Sequence, residues 1–357
     1  MLPPAFRPLT QPLTPSTTRP YDHLTWLDAN RLAPAAARVL AHEPLPAETR
    51  AYLDAAYAQA RAQWLLRKTA LQRFLALMNQ EPSLPVILLK GAALALTLYD
   101  DPAIRPMNDI DLLAPPERLM DGVARLRQAG YEESGLAPGS DAGYLHHFIF
   151  VDRATGVRFE PHRTLPMLPA GNAGLDWFLN QTERHELEGA PFLTLTPAAQ
   201  LLHAAAHAVL EHGGEQSAVG VWFYDIDQLL RRWGETLDWE QVLARAQILG
   251  WEAALHQAIH LARTWFGSPL PRAIRAWLEF PVDQLSGYND FRSATSPRRT
   301  TSLAVLHIMR GLTWRQRMQQ MMHMLLPSRA YMQRRYPGLP WLLAYPYRWF
   351  DAARKLH

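Results

Sequence analysis

Residues 84–113 read LPVILLKGAALALTLYDDPAIRPMNDIDLL, and the fold class turns on this stretch. Glu81-Pro82-Ser83 interrupts the preceding pattern, and 84–89 is a short unbroken apolar run containing Val86 and Ile87, as expected of a buried strand. The run stops at Lys90-Gly91, after which 92–99 is rich in helix formers. A loop over 100–106 leads into a second strand, Asp109–Leu113. Strand, tight turn, helix, loop, strand is the order of a small sheet with helices laid against it.

Upstream, apolar residues recur at helical spacing over 32–40 and through a long stretch over 48–78. Downstream, 115–129 reads as a helix closed by Gly130, and 146–151 and 157–161 flank Asp152-Arg153-Ala154-Thr155-Gly156 as a hairpin. From Pro197 the pattern is almost wholly helical: 198–211, 219–233, 239–249, 253–265 and 273–280. Residues 283–299 read as an exposed loop, and 301–357 as further helices broken by prolines. The expectation is an α+β fold: a small mixed β-sheet core with an N-terminal helical layer and a C-terminal helical domain. The expected division is a flexible lead-in over 1–20, a helical region over 21–82, the sheet core over 83–195, and a helical domain over 196–357.

Composition bounds the chemistry. Cysteine is absent from all 357 residues, which excludes disulfides, thiolate catalysis and Cys-ligated zinc or iron–sulfur sites and fits a reducing, cytoplasmic location. No apolar run reaches the roughly 18 residues of a membrane span. The net charge of +3 is too small to imply a nucleic-acid partner by itself. Lys68, Lys90 and Lys355 are the only lysines, so a lysine inside a motif stands out.

Asp109 and Asp111 lie two apart in a strand, which points both to one face, while Ile110 and Leu112 anchor the other. Hard oxygen ligands in this pattern suit Mg²⁺, which completes its shell with water and substrate phosphate. Two such ions roughly 3.5–4 Å apart can activate an attacking oxygen and neutralise a leaving pyrophosphate. A third carboxylate completes such a pair. Glu160 is the first candidate, because a neighbouring strand could set it beside Asp111, and Asp152 is the alternative. Lys90-Gly91 at a helix start is an anion site, with Gly91 permitting close approach and Lys90 adding charge. Arg105 could fork onto phosphate oxygens.

The string Leu89-Lys90-Gly91-Ala92-Ala93-Leu94, then Tyr99 and Arg105-Pro106-Met107-Asn108-Asp109-Ile110-Asp111-Leu112-Leu113, resembles the signature of the uncharacterised bacterial nucleotidyltransferase family of the polymerase-beta superfamily. Further matches lie in Val157-Arg158-Phe159-Glu160-Pro161-His162, in Leu195-Thr196-Pro197 with Leu201, Leu202, His203 and His207, and in Trp222-Phe223-Tyr224-Asp225. The resemblance implies a metal-binding Asp-x-Asp with a third acid, Mg²⁺ or Mn²⁺, a nucleoside triphosphate donor, expected to be ATP, and release of pyrophosphate. The acceptor would be a small molecule, a peptide or protein side chain, or an RNA end. A looser resemblance to abortive-infection toxins leaves a tRNA acceptor open, with a basic stripe through Arg298, Arg299, Arg310, Arg315 and Arg317. Ala92 stands where the superfamily usually has serine, which keeps a non-catalytic nucleotide-binding module as a third reading.

Four other features are weighed against this core. Asp225 could support the nucleotide pocket, but Asp225 and Asp227 sit in a helical pattern, where residues two apart diverge. His162 shares a strand face with Glu160 and could touch phosphate or metal. His203 and His207, four apart, read as core or pocket-lining histidines. The methionine cluster around Met318, Met321, Met322 and Met324 reads either as core packing or as a membrane-surface or partner-binding helix.

Overall fold

The structure is a computed structural model that describes residues 3–10, 20–134, 147–165, 167–168, 173–296, 314–336 and 338–354. Its helices are α1 (Pro20–Ala29), α2 (Ala33–Val39), α3 (Ala47–Met78), α4 (Lys90–Thr97), α5 (Leu119–Gln128), α6 (Ala173–Asn180), α7 (Pro197–Ala206), α8 (Gly220–Trp233), α9 (Trp239–Leu249), α10 (Glu252–Phe266), α11 (Arg272–Trp277) and α12 (Tyr288–Ala294), followed by Trp314–Leu325, Arg329–Arg335 and Trp341–Arg354. The strands are β1 (Ile87–Leu88), β2 (Asp109–Leu113), β3 (Glu132–Ser134), β4 (Ile149–Val151), β5 (Arg158–His162), β6 (Thr182–Leu187) and β7 (Ala190–Leu195). They form one mixed sheet in the order β3-β4-β5-β2-β1-β7-β6. The α+β expectation holds.

The apolar run ending in β1 is buried on both faces, which is why it reads as continuous rather than alternating. In β2 the alternation is plain. Ile110 and Leu112 join a core built with Phe74, Leu88, Phe150 and Phe159, under α3 and α5. Leu113 faces the other way with Ile87 and Leu89, into a larger core shared with α2, α7, α8 and α10. Phe74 stacks on Phe159 with ring centroids 4.5 Å apart and pins α3 to the sheet. Since α3 supplies Leu53 to the larger core and Ala70–Met78 to the smaller, the helical and sheet cores meet along its length.

Three expectations change in detail. Within the expected lead-in over 1–20, residues 3–10 are packed, not loose: Phe6 is fully buried and lies edge-on against Tyr224, at 6.1 Å between centroids. The 283–299 stretch contains α12, whose Ala294 is buried. The β6–β7 hairpin was missed, because charged residues in Thr182–Leu187 hide its alternation. Its signal was the turn: Glu188 and Gly189 both have positive φ, 48° and 87°, as a two-residue hairpin turn of the I′ kind requires. Arg298, Arg299 and Arg310 of the basic stripe lie outside the described residues. Met318, Met321 and Met322 are exposed. No helix among the described residues is long and apolar enough to cross a membrane.

Candidate active site

β2 and β5 run parallel and adjacent, with Asp111 paired to Glu160 and Leu113 to His162. Partners in a parallel ladder point to the same face, so Asp109, Asp111, Glu160 and His162 share the sheet surface opposite α3 and α5. Because β5 is flanked by β4 and β2, Glu160 is an interior-strand carboxylate rather than an edge one. Asp152 is spent elsewhere: it pairs with Arg73, accepts from the Ala154 N–H at 3.1 Å, and so fixes the β4–β5 turn.

Asp111 is the hub. Its Oδ1 accepts from Lys90 Nζ at 3.1 Å and lies 2.8 Å from His162 Nε2. Burial alone would raise its pKa, but Lys90 and His162 outweigh burial and hold the carboxyl well below the usual carboxylate range. Asp109 and Glu160 shift the other way, pushed up first by burial and then by the neighbouring acids. Glu160 pairs with Arg158 at 2.6 Å, and His147 Nε2 stands 3.9 Å from its other oxygen. Ligand atoms of Asp111, Glu160 and His162 lie within 4.8 Å of one another. The acids that repel one another at this spacing fit a divalent cation, which removes the repulsion that raises their pKa values. His162 occupies a corner of this tight group, with Asp109 one step along the strand.

Lys90 opens α4 with φ at 47°, a costly value for a residue with a side chain, and follows an extended Leu89. Its amine reaches Asp111 of β2 from the first residue of that helix. Burial opposes its charge, yet Asp111, then Glu211, and Asp109 more weakly, keep it protonated. A Cβ on Gly91 would stand 3.2 Å from both Arg105 Nη1 and Met107 Cβ, so only glycine sits there without displacing a neighbour.

Arg105 is placed differently from the phosphate fork. Its Nε reaches both oxygens of Asp225 at 2.8 Å, its Nη2 reaches Asp225 at 2.7 Å, and its Nη1 donates to the Pro106 carbonyl at 2.5 Å. Tyr99 donates to the same carboxylate at 2.6 Å. Asp225 therefore ties α8 to the loop beside Gly91. Asp227 diverges as expected, to Arg231 at 2.8 Å and Ser268 at 2.8 Å.

Sequence reasoning missed Arg31, just after α1, and Arg67, inside α3, whose charges act on Asp109. Neither sits in a motif, so only the tertiary fold brings them to the carboxylates. His203 and His207 are buried as anticipated. Burial pushes His203 down to about 3, helped by Lys90, and its Nε2 has no hydrogen-bond partner among the described residues. A neutral native histidine loses to a protonated unfolded one, so its stabilising effect is complete above about pH 6.5 and erodes as pH falls toward 3. His203→Leu should flatten the stability profile between pH 6 and 4 by about 1.4 kcal/mol per pH unit in urea titrations. An unchanged slope would show that this ring is not what titrates.

A family model described as "Uncharacterised nucleotidyltransferase" matches residues 17–267, about 70% of the chain. The chain belongs to that uncharacterised nucleotidyltransferase family. The match takes in α3 as well as the sheet and runs to the end of α10, so Arg31 and Arg67 both lie within the matched span. An antigenic nucleotidyltransferase-like protein from Paracoccidioides brasiliensis is similar at 14% identity over 56% of this chain and 96% of its own, with a TM-score of 0.34. No curated protein matches the chain.

Proposed function

We propose that this nucleotidyltransferase moves a nucleoside monophosphate from a nucleoside triphosphate, ATP in the first instance, to an acceptor hydroxyl and releases pyrophosphate. The observation that carries this reading is the parallel β2–β5 register, which gathers Asp109, Asp111 and Glu160 beside the Lys90-Gly91 helix start. Mg²⁺ or Mn²⁺ held by those three acids would supply charge neutralisation on the phosphate oxygens and a lowered pKa for the attacking hydroxyl. His162 orients Asp111 through its Nε2. Lys90 and the free N–H groups of α4 bind the polyphosphate, and Gly91 makes room for Arg105 and Met107 against that helix start. Arg158, Arg31 and Arg67 add positive charge around the same acids. Arg105 and Asp225 act one layer out, holding the loop that carries β2 against α4. The acceptor is a hydroxyl of a small molecule, a peptide or protein, or an RNA end, and the donor implies a compartment stocked with triphosphates, such as the cytoplasm.

The test has two parts. Incubation with each labelled triphosphate and Mg²⁺ or Mn²⁺ should release pyrophosphate once acceptor-containing cell fractions are added. No release under any pairing would overturn the reading. Separately, Mn²⁺ should raise the melting temperature of the wild type. Asp109→Asn should melt slightly higher than wild type without metal, because one repelling charge is gone, and should lose most of the metal-induced rise. A variant that kept the full rise would remove Asp109 from the metal set.

A further inference from the structure

The helix that starts at Pro197 does not continue regularly to residue 211. At His207 it changes to a single π turn, His207–Glu211, closed by the His212 N–H on the His207 carbonyl at 3.2 Å. In an α-helix the side chain five positions on points well away from residue i. The wider π turn stacks residues i+4 and i+5 over residue i, and such turns concentrate at functional sites. Here they are Glu211 and His212. His207 Nδ1 lies 2.7 Å from Glu211 Oε2, and the His207 and His212 ring centroids are 4.5 Å apart. Trp222 from α8 covers both rings, at 4.8 and 4.4 Å.

We propose that His207, Glu211 and His212 form a binding site for a Zn²⁺-class cation, separate from the Asp111 group. Ligand atoms of the three already fall within 4.8 Å of one another. Zinc bonds of about 2.0–2.2 Å in a tetrahedron place donors about 3.3 Å apart, so small side-chain rotations complete the site. Two imidazoles and one carboxylate are a borderline donor set that favours Zn²⁺, whereas the acid-rich Asp111 group is a hard-ion set. His207 is buried while Glu211 and His212 are half-buried, which leaves one open side for entry and a fourth position for water. Lys90 feels both Asp111 and Glu211, so an ion held here would act electrostatically on the amine that binds Asp111. The π turn is the device that makes the site: an unbroken α-helix would present Glu211 but carry His212 away.

Full-length protein, stripped with chelator and titrated with Co²⁺, tests this directly. A tetrahedral site of this kind should give intense visible absorption that saturates at one equivalent and is displaced by Zn²⁺. Glu211→Gln and His212→Asn should each weaken Co²⁺ binding at least tenfold, whereas Glu160→Gln, which alters the other group, should leave the band unchanged. Absence of a tetrahedral band in the wild type would overturn the proposal. So would loss of the band in Glu160→Gln with survival in His212→Asn. His212 is half-buried, so its variant should fold, and matched far-ultraviolet circular dichroism checks that. If Glu211→Gln and His212→Asn both fail to fold, the wild-type and Glu160→Gln titrations decide the matter alone.

Discussion

Asp111→Asn should reduce nucleotide transfer by about 10³-fold, with a native circular dichroism spectrum. Removing one preorganised electrostatic group at a reacting centre costs about 10²–10³ in rate, and Asp111 does more than one task. It offers the metal its best-ionised carboxylate and anchors both Lys90 and His162 through a single oxygen. The asparagine keeps the shape and one acceptor oxygen. Lys90 keeps Glu211 and Asp109 as countercharges, so the buried amine is not left bare and the fold should survive. Pyrophosphate release within tenfold of wild type would rule out the proposed centre.

The second large effect is on stability. Asp225→Ala strips the countercharge from a guanidinium that is only 4% exposed and leaves it the Pro106 carbonyl, which carries no charge. Breaking a buried pair by removing one side costs about 3–5 kcal/mol. For a unit of this size each kcal/mol moves the melting point by about 2–4 °C, so a drop on the order of 10 °C is expected by calorimetry. Arg105→Lys should recover little, because an ammonium cannot span both carboxylate oxygens and the Pro106 carbonyl together. Replacing both partners with apolar residues, as in Arg105→Met with Asp225→Leu, should restore much of the loss. A shift under 2 °C for Asp225→Ala would mean that the pair does not hold α8 to the loop.

The contrast between these two acids marks how much the chain discloses before folding. Asp109, Asp111, Lys90 and Gly91 were legible because strand alternation and a strand-to-helix turn are local, and neighbours in sequence remain neighbours in space. Glu160 required a guess about strand pairing, and the parallel register with Asp111 supplied what periodicity could not. Arg105 was misjudged because a lone arginine before a motif says nothing of a carboxylate 120 positions on. His212 was passed over for a similar reason: helical spacing sets it off the His207 face, and only the π turn returns it. Arg31 and Arg67 left no trace in the motif, since they lie 78 and 42 positions before Asp109 and only the folded chain brings their charges to bear on it.

The 32-residue α3 has a consequence of another kind. At about 1.5 Å per residue it reaches roughly 48 Å, and its two halves belong to different cores. Heat or denaturant therefore meets no seam along which the sheet could part from the bundle. The rod would have to fray in its middle first, and these two cores should come apart together, whereas the Tyr331, Met332 and Ala344 cluster of the C-terminal helices is separate from both.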